Sequence, residues 1–302
     1  ASRRQRQMCI RDRSLPGAVD ALCAASRRIT RMHDTLQSNR MELKFRITEP
    51  VAAEIKRYLG ATLQRDPNGV NHGPAGYPVC SVYLDSKKSC LYGQSMAGER
   101  NRFKLRVRVY YADPNGPAFV EIKRRDSQVI KKQRATVDRE TATAILAGER
   151  RAFTPMADTS SGSDEQRRNE WLALIEFCRL RDAIGGTGRT YVRYLREAYV
   201  SPDGLQWRAT FDRKLRAHPY QPGDPITIPC EGLPAACDRS VVFELKFTNR
   251  FPRWMQDLVR VFDLCPVSFP KYVNCVRSLG VDVNVTSSPA MRRIASTTQR
   301  AG

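Results

Sequence analysis

The stretch FKLRVRVYY, from Phe103 to Tyr111, alternates between charged and apolar side chains. Successive side chains of a β-strand point to opposite faces, so the stretch predicts a strand with one apolar and one charged face. The apolar face carries Leu105, Val107 and Val109, and the charged face carries Lys104, Arg106, Arg108 and Tyr110. Burial in a core explains the apolar face. Three cations in a row need a separate explanation, of which exposure to solvent is the simplest.

The same two-faced pattern recurs in other segments of the chain. Glu-x-Lys occurs on three of them, as Glu42 with Lys44, Glu121 with Lys123, and Glu244 with Lys246. Further segments place polar residues on one face, namely Lys132 with Arg134, Tyr194 with Arg196, and Arg208 with Thr210 and Asp212. An open sheet in water would explain the alternation, but it would not explain why Glu-x-Lys recurs where Ser, Thr and Gln are scarce.

A closed antiparallel β-barrel explains both observations. Its apolar strand faces would pack outward against helices, and its charged faces would converge in a tunnel. Like charges at close range repel by roughly 4 kcal/mol at an effective dielectric constant near 20, so the interior must hold carboxylates, water and a polyanion. A chain of phosphates meets this requirement, and Glu residues among the cations would hold the divalent metal ion that accompanies phosphates.

The composition favours a polyanionic partner without identifying it. The chain has 302 residues, 27% of them charged, and a formal net charge of +20, which fits nucleic acid, an anionic membrane surface or phosphate chains. A nucleic-acid binder would interleave exposed aromatic residues with its cations, whereas these aromatics alternate to the apolar faces, so we expect no nucleic-acid partner. The nine cysteines are scattered, which predicts reduced thiols in a cytoplasmic protein and argues against a zinc site. No apolar run is long enough to span a bilayer.

The pattern divides the chain into three parts. We expect residues 1–39 to be a disordered or non-native leader and residues 286–302 to be a disordered tail, because apolar residues recur in neither segment with a sustained helical or strand spacing. Residues 40–285 are expected to form one α+β domain, with an antiparallel sheet and helices packed outside it. Strands are expected at 42–47, 79–85, 103–111, 118–124, 128–137, 190–200, 206–213 and 241–247, and helices at 49–63, 138–150, 169–184 and 252–264.

The order of these motifs resembles that of the VTC domain, a branch of the triphosphate tunnel metalloenzymes. The resemblance extends from about Arg40 to Val276, and RMELKF resembles the opening R-x-E-x-K strand of the family. The further motifs follow in the order of the family: SVYLDS...LY, KLRVRVY, EIKRR, KKQR, YLREAY, RATFDR, FELKF...PRW and PKY. A single Glu-x-Lys would be weak evidence, but the ordered set is specific.

The resemblance implies a barrel tunnel that binds ATP and inorganic polyphosphate with Mn²⁺ or Mg²⁺ and synthesises polyphosphate from ATP. Carried over by position, the catalytic residues would be Lys44, Arg106, Arg108, Lys123, Arg196 and Lys246. Further phosphate contacts would come from Lys132, Arg134, Arg208 and Lys271. The metal ligands would be Glu244, followed by Glu42 and Glu121.

Two positions depart from related patterns. Arg40 stands where the CYTH branch, which cyclises or hydrolyses triphosphates, has the first Glu of E-x-E-x-K, and this difference favours the VTC branch. Pro270 precedes Lys271 where the VTC family often has Ser, and Lys271 is expected on the last strand. No SPX-type regulatory domain is recognisable, so we expect regulation and any membrane association to come from a partner chain.

Several functions remain open at this point. The leading prediction is an ATP-dependent polyphosphate polymerase, and the alternatives are a metal-dependent tripolyphosphatase or nucleoside triphosphatase and a non-catalytic polyphosphate-binding module. Lys104 and Arg124 are interpreted as solvated or rim charges and not as tunnel walls. Asp212 fits equally well as a metal ligand or as the ion-pair partner of an interior Arg.

Overall fold

The fold is known from a computed structural model of the chain. It describes residues 40–280 except 71–72, 74, 111–114, 128, 157–162, 203–206, 228–232, 237–239 and 249. The expected leader at 1–39 and tail at 286–302 lie outside the described residues, as does Tyr111 at the end of the opening motif.

In the described ranges, nine strands form one antiparallel sheet. In chain order they are β1 (Arg40–Ile47), β2 (Gln64–Arg65), β3 (Tyr77–Asp85), β4 (Arg102–Val109), β5 (Ala118–Asp126), β6 (Val129–Val137), β7 (Thr187–Val200), β8 (Trp207–Pro219) and β9 (Val241–Thr248). Eight of them are hydrogen-bonded in the order β1-β9-β8-β7-β3-β4-β5-β6, and the short β2 pairs with β7 beside this path. The eight strands expected between residues 42 and 247 are therefore present.

Strand β8 is longer than the sequence pattern predicts. The expected segment stops at residue 213, whereas β8 continues to Pro219. Lys214 has a φ of 51°, and the pairing of β7 with β8 shifts register between Arg193 and Leu195. A bulge of this kind inserts a residue and interrupts the period of two, so the alternation ends although the strand does not.

Seven helices occur in the described part of the chain. They are α1 (Glu49–Leu59), α2 (Pro67–Val70), α3 (Cys90–Met96), α4 (Arg139–Ala147), α5 (Asp164–Ile184), α6 (Arg253–Val261) and α7 (Lys271–Ser278). Asp138 and Ser163 cap α4 and α5, because their side chains accept hydrogen bonds from the backbone N–H of Thr141 and Gln166. The sequence pattern continued α1 to residue 63, but the helix ends before Gly60.

Most helices cover the convex side of the sheet in two groups. Helix α4 packs on β5 and β7, and α5 packs on β3, β5 and β6; Phe177 of α5 shares one buried cluster with Val107 and Val120. Helices α1 and α6 pack on β1, β8 and β9, where Phe243 meets Ile55 and Met255. These strand residues belong to the apolar faces predicted from the alternation, so the other face of each strand is directed to the concave side.

The sheet curls but does not close. Strands β1 and β6 are its two ends, and within the described ranges they form no backbone pairing with each other. The expected closed barrel is therefore corrected to an open, half-barrel sheet. Its curvature still brings distant strands together, because Lys123 on β5 lies 3.3 Å from Glu42 on β1 through Nζ and Oε2. Side chains across the concave face make the connection that the backbone does not.

Unlike the two groups of helices on the convex side, helix α7 packs on the concave side of the sheet. Tyr272 and Val273 join the buried cluster formed by Tyr83, Val192 and Tyr194, which are residues of the concave face. The ring of Tyr272 stacks on that of Tyr83 with centroids 4.8 Å apart. The segment that begins at Lys271 was expected to be a strand, but it is this helix, since residues at 272, 273, 275 and 276 are buried with helical spacing.

Candidate functional site

Cations from seven strands and one helix line the concave face. They are Lys44, Lys104, Arg106, Arg108, Lys123, Lys132, Arg134, Arg196, Arg208, Lys246 and Lys271. The carboxylates on the same face are Glu42, Glu121, Asp212 and Glu244. The predicted site residues therefore share one side of the sheet, and cations outnumber carboxylates there.

Glu121 on β5 is the centre of a first charge cluster. Its carboxylate oxygens lie 2.6 Å from Arg106 Nη2, 2.7 Å from Lys132 Nζ and 2.7 Å from Arg134 Nη2. Arg108 Nη1 lies 3.7 Å away. Burial acts to raise the pKa of Glu121, but these cations hold it well below its usual range. Glu121 is therefore a fixed anion that holds the side chains of β4 and β6 in place.

Glu244 on β9 and Asp212 on β8 form the centre of a second cluster. Lys271 Nζ lies 2.5 Å from Glu244 Oε1 and 2.7 Å from Asp212 Oδ2. Arg196 donates two hydrogen bonds to Asp212, each of 2.7 Å, and Lys246 Nζ lies 2.9 Å from Glu244 Oε2. Of the two roles open for Asp212, the structure shows the ion pair with an interior Arg.

Glu42 on β1 lies beside this second cluster. It is directly opposite Lys246 in the pairing of β1 with β9. Its Oε1 lies 3.2 Å from Lys44 Nζ, which is in turn 3.9 Å from Glu244 Oε1. Burial acts to raise the pKa of Glu42, but Lys246, Lys123 and Lys44 together hold it below its usual range. Glu42 and Glu244 thus share the ammonium group of Lys44.

The three predicted metal ligands are not gathered in one place. No group of three or more Asp, Glu, His or Cys side chains suited to a metal ion occurs among the described residues. Glu121 is surrounded by the cations of the first cluster, while Glu42 and Glu244 lie together. Two carboxylates fit Mg²⁺ or Mn²⁺, because such ions often take one or two carboxylates and complete their shell with water and substrate phosphates. Glu42 and Glu244 remain the predicted ligands.

Lys104 belongs to the concave face, which corrects its interpretation as a rim charge. It lies directly opposite Lys123 in the pairing of β4 with β5, and its Nζ is 5.9 Å from the ring centre of Tyr272. Burial, followed by repulsion from Lys123 and Lys44, lowers the pKa of Lys104 to about 7. The sequence already contained this signal, because residues two apart on a strand share a face and Lys104 is two residues from Arg106. Arg124 is outside as expected, paired with Glu176 of α5 at 2.6 Å.

Hydroxyl groups orient several of the arginines. Arg106 Nη1 donates to Tyr83 Oη at 3.1 Å, and Arg108 donates to Ser81 Oγ at 3.1 Å and to Tyr194 Oη at 3.3 Å. Ser81 and Tyr83 lie on β3 directly opposite Arg108 and Arg106. No role was predicted for Ser81 and Tyr83, although polar and apolar side chains alternate in SVYLD as they do in FKLRVRVYY. Only the strand order shows that β3 is the neighbour of β4.

The cationic surface continues to an exposed end of the sheet. Arg102 and Arg125 are directly opposite each other on β4 and β5, in line with Lys104 and Lys123. A cavity of about 320 Å³ at this end is lined by Gly98, Arg100, Arg102, Arg125 and Ser127. Burial and the neighbouring Arg125 lower the pKa of Arg102. The row of positive charge on β4 and β5 thus continues to this solvent-exposed end of the sheet.

The fold and the site define a curled antiparallel sheet whose concave face carries more cations than carboxylates. A family model described as the VTC domain matches residues 39–280. The match covers most of the chain, so the chain belongs to the VTC domain family. The comparison with curated proteins gives no match. No helix in the described part of the chain is long and apolar enough to cross a membrane.

Solved structures give distant similarities. A candidate adenylate cyclase from Vibrio parahaemolyticus is 10% identical, with a TM-score of 0.40, over 81% of this chain and 99% of that one. A Pyrococcus horikoshii protein is 11% identical, with a TM-score of 0.38, over 81% and 99% of the two chains. The Mimivirus capping enzyme triphosphatase is 11% identical, with a TM-score of 0.32, over 80% and 97%. At these scores the similarities carry no argument here.

Proposed function

We propose that this chain is an ATP-dependent polyphosphate polymerase. Membership of the VTC domain family supports an activity on phosphate chains, and the polymerase reaction is our specific inference from it. The observation that carries the proposal is the excess of cations over carboxylates on a concave face. Cations held close together and partly desolvated destabilise the empty site, and a chain of phosphates relieves that repulsion.

In the proposed reaction, a terminal oxygen of the growing chain attacks the γ-phosphorus of ATP. A new P–O bond forms, the bond to the β–γ bridging oxygen breaks, and ADP leaves with the electron pair. Phosphoryl transfer depends mainly on alignment and on neutralising the charge of the phosphate oxygens. The arginines at 106, 108 and 196 suit this task because a guanidinium can bind two oxygens at once, and carboxylates and hydroxyls already fix their orientation.

Lysines on both sides of the carboxylate pair would provide the remaining charge. Lys44, Lys123 and Lys246 surround Glu42 and Glu244, which are the residues that would hold Mn²⁺ or Mg²⁺. When bound, such an ion would neutralise phosphate oxygens and help to orient the two reacting groups. Lys132 and Arg134 pair with Glu121, and Arg208 pairs with Asp66, so these three cations lie apart from the carboxylate pair and are proposed to hold chain phosphates away from the reacting group.

The experiment is to incubate the protein with ATP and Mn²⁺ and to measure ADP, orthophosphate and acid-labile chains together. A polymerase produces ADP in equal amount to the phosphate residues found in chains. Orthophosphate in equal amount to ADP, without chains, would instead identify a triphosphatase. If ADP does not form while tripolyphosphate still raises the melting temperature, the chain is a binding module. Lys246→Met should abolish ADP formation, and Arg124→Ala on the convex side should not.

A further inference from the structure

The outward face of α5 carries an apolar stripe that nothing in the described chain covers. The opposite face of the helix is buried against the sheet through Ala173, Leu174, Phe177 and Leu180. On the outer face, Trp171, Leu172 and Ile175 are 44%, 52% and 57% exposed. Single exposed apolar residues are normal, but a contiguous group that includes Trp is typical of an interaction surface.

The charges along this stripe are arranged symmetrically about Leu172. Glu165 and Arg179 lie seven residues before and after it, and Arg168 and Glu176 lie four residues before and after it. Glu165, Arg168 and Arg179 are exposed, and Glu176 is half-buried. Glu176 accepts hydrogen bonds from Arg124 and Arg179 of its own chain, so contacts to a partner would extend this ion-pair network. Spacings of four and seven residues keep these side chains near the face that carries Leu172. Each acid on one side of Leu172 therefore has a base at the same distance on the other side.

We infer that the outer face of α5 binds the same face of a second copy of this chain. An antiparallel pair of α5 helices with a two-fold axis at Leu172 would place Glu165 against the partner's Arg179 and Arg168 against the partner's Glu176. Each contact would occur twice, as a two-fold symmetric interface requires. The paired segment from Glu165 to Arg179 is about 21 Å long at 1.5 Å per residue, with Trp171, Leu172 and Ile175 at its centre.

This interface would leave the concave face free. Helix α5 packs on the convex side of β5 and β6, so two copies joined there would each keep their charged side chains accessible. Assembly must also overcome repulsion between two chains of net charge +20. The local acid–base pairs would fix the alignment of the two helices, and burial of the apolar stripe would stabilise the dimer.

The test is sedimentation equilibrium of the full chain over a wide range of concentrations at moderate salt. We expect a reversible monomer–dimer equilibrium. Leu172→Glu puts two like charges on the axis and should leave only monomer, while its melting temperature with tripolyphosphate should shift as in the wild type. A wild-type protein that stays monomeric at the highest concentration overturns the inference.

A charge exchange tests the antiparallel register. Glu165→Arg and Arg179→Glu should each raise the dimer dissociation constant about tenfold, whereas the double variant should restore it, because both contacts are then reversed together. The melting temperature of each variant separates a folding defect from a loss of the interface. Single variants that dimerise like the wild type, or a double variant that is weaker than both singles, contradict this register. In that case the two copies associate through another register or another surface, and the proposed pairing of the α5 helices is wrong.

Discussion

Lys104 shows most clearly how the free protein holds unbalanced charge. Its nearest strand neighbour is another lysine, Lys123, and its side chain lies over the ring of Tyr272. With a pKa of about 7 against an ordinary value of 10.5, this ammonium group loses its proton in the folded state more readily than in the unfolded chain. A bound polyanion would favour the protonated form again. Binding of the proposed phosphate chain would therefore be linked to proton uptake by Lys104 near neutral pH.

Replacing Lys104 should stabilise the free protein in a pH-dependent way. Below pH 7 the folded protein carries the full cost of the charged group. Between about 7 and 10.5 the unfolded state binds more protons, so wild-type stability gains with rising pH. We expect Lys104→Met to raise the melting temperature at pH 6, and the difference from wild type to shrink towards pH 10. Lys131→Met, at an exposed position on β6, is the control. A difference that is constant with pH would contradict the burial of Lys104.

Glu42 tests the proposed metal ligands at the residue scale. Glu42→Gln keeps the shape of the side chain but removes one of the two neighbouring carboxylates. We expect Mn²⁺-dependent turnover, and Mn²⁺ binding measured with tripolyphosphate present, to weaken by about tenfold or more. Glu176→Gln, on the convex side beside Arg124, should have no such effect. Unchanged Mn²⁺ dependence in Glu42→Gln would remove this residue from the metal site.

Helix α7 has the largest structural effect at the scale of elements. It places Lys271 between Asp212 and Glu244 and Tyr272 against Tyr83. Tyr272 also donates a hydrogen bond of 2.7 Å to Asp85 Oδ2. The same carboxylate accepts from the backbone N–H groups of Leu91 and Tyr92 at the start of α3. One buried Asp thus ties β3, α3 and α7 together.

Removing this hydrogen bond should destabilise the fold measurably. Tyr272→Phe leaves the buried carboxylate of Asp85 without one donor, and we expect the free energy of unfolding to fall by about 1.5–3 kcal/mol, the range for bonds to charged groups. Tyr58→Phe is a matched control, because the Tyr58 hydroxyl makes a 3.4 Å bond to the neutral carbonyl of Trp254. Urea unfolding of the three proteins gives the comparison. An equal and small loss in both variants would mean that α7 is not held through Asp85.

The sequence predicts the strands of this fold better than their arrangement. The two-residue alternation of apolar and polar side chains located every long strand. It also correctly separated the apolar from the charged face of FKLRVRVYY. It could not predict that the sheet stays open, because closure depends on which strands are neighbours. It also missed helix α7, since the eight residues from Lys271 to Ser278 carry too short a pattern to distinguish helix from strand. The grouping of Glu42 with Glu244, apart from Glu121, likewise follows from strand order and not from the shared Glu-x-Lys motif.

At the scale of the whole molecule, the curvature of one sheet gathers positive charge on its concave face. The cations on the charged faces of β1 and of β4 to β9 point to a common interior, as does Lys271 on α7. Helices cover the convex side of the sheet. Arg102 and Arg125, directly opposite each other on β4 and β5, extend this positive charge to a solvent-exposed end of the sheet.

Two neighbouring residues of β5 allow the most direct test of a polyanion-binding concave face. Lys123 faces the interior and contacts Glu42, whereas Arg124 faces α5 and contacts Glu176. The measurement is calorimetric titration of tripolyphosphate into wild type, Lys123→Ala and Arg124→Ala at the same ionic strength. We predict that Lys123→Ala loses about 1.5–3 kcal/mol of binding free energy and that Arg124→Ala binds as the wild type does. Equal affinity in all three proteins, or an equal loss in both variants, would contradict a binding site on the concave face.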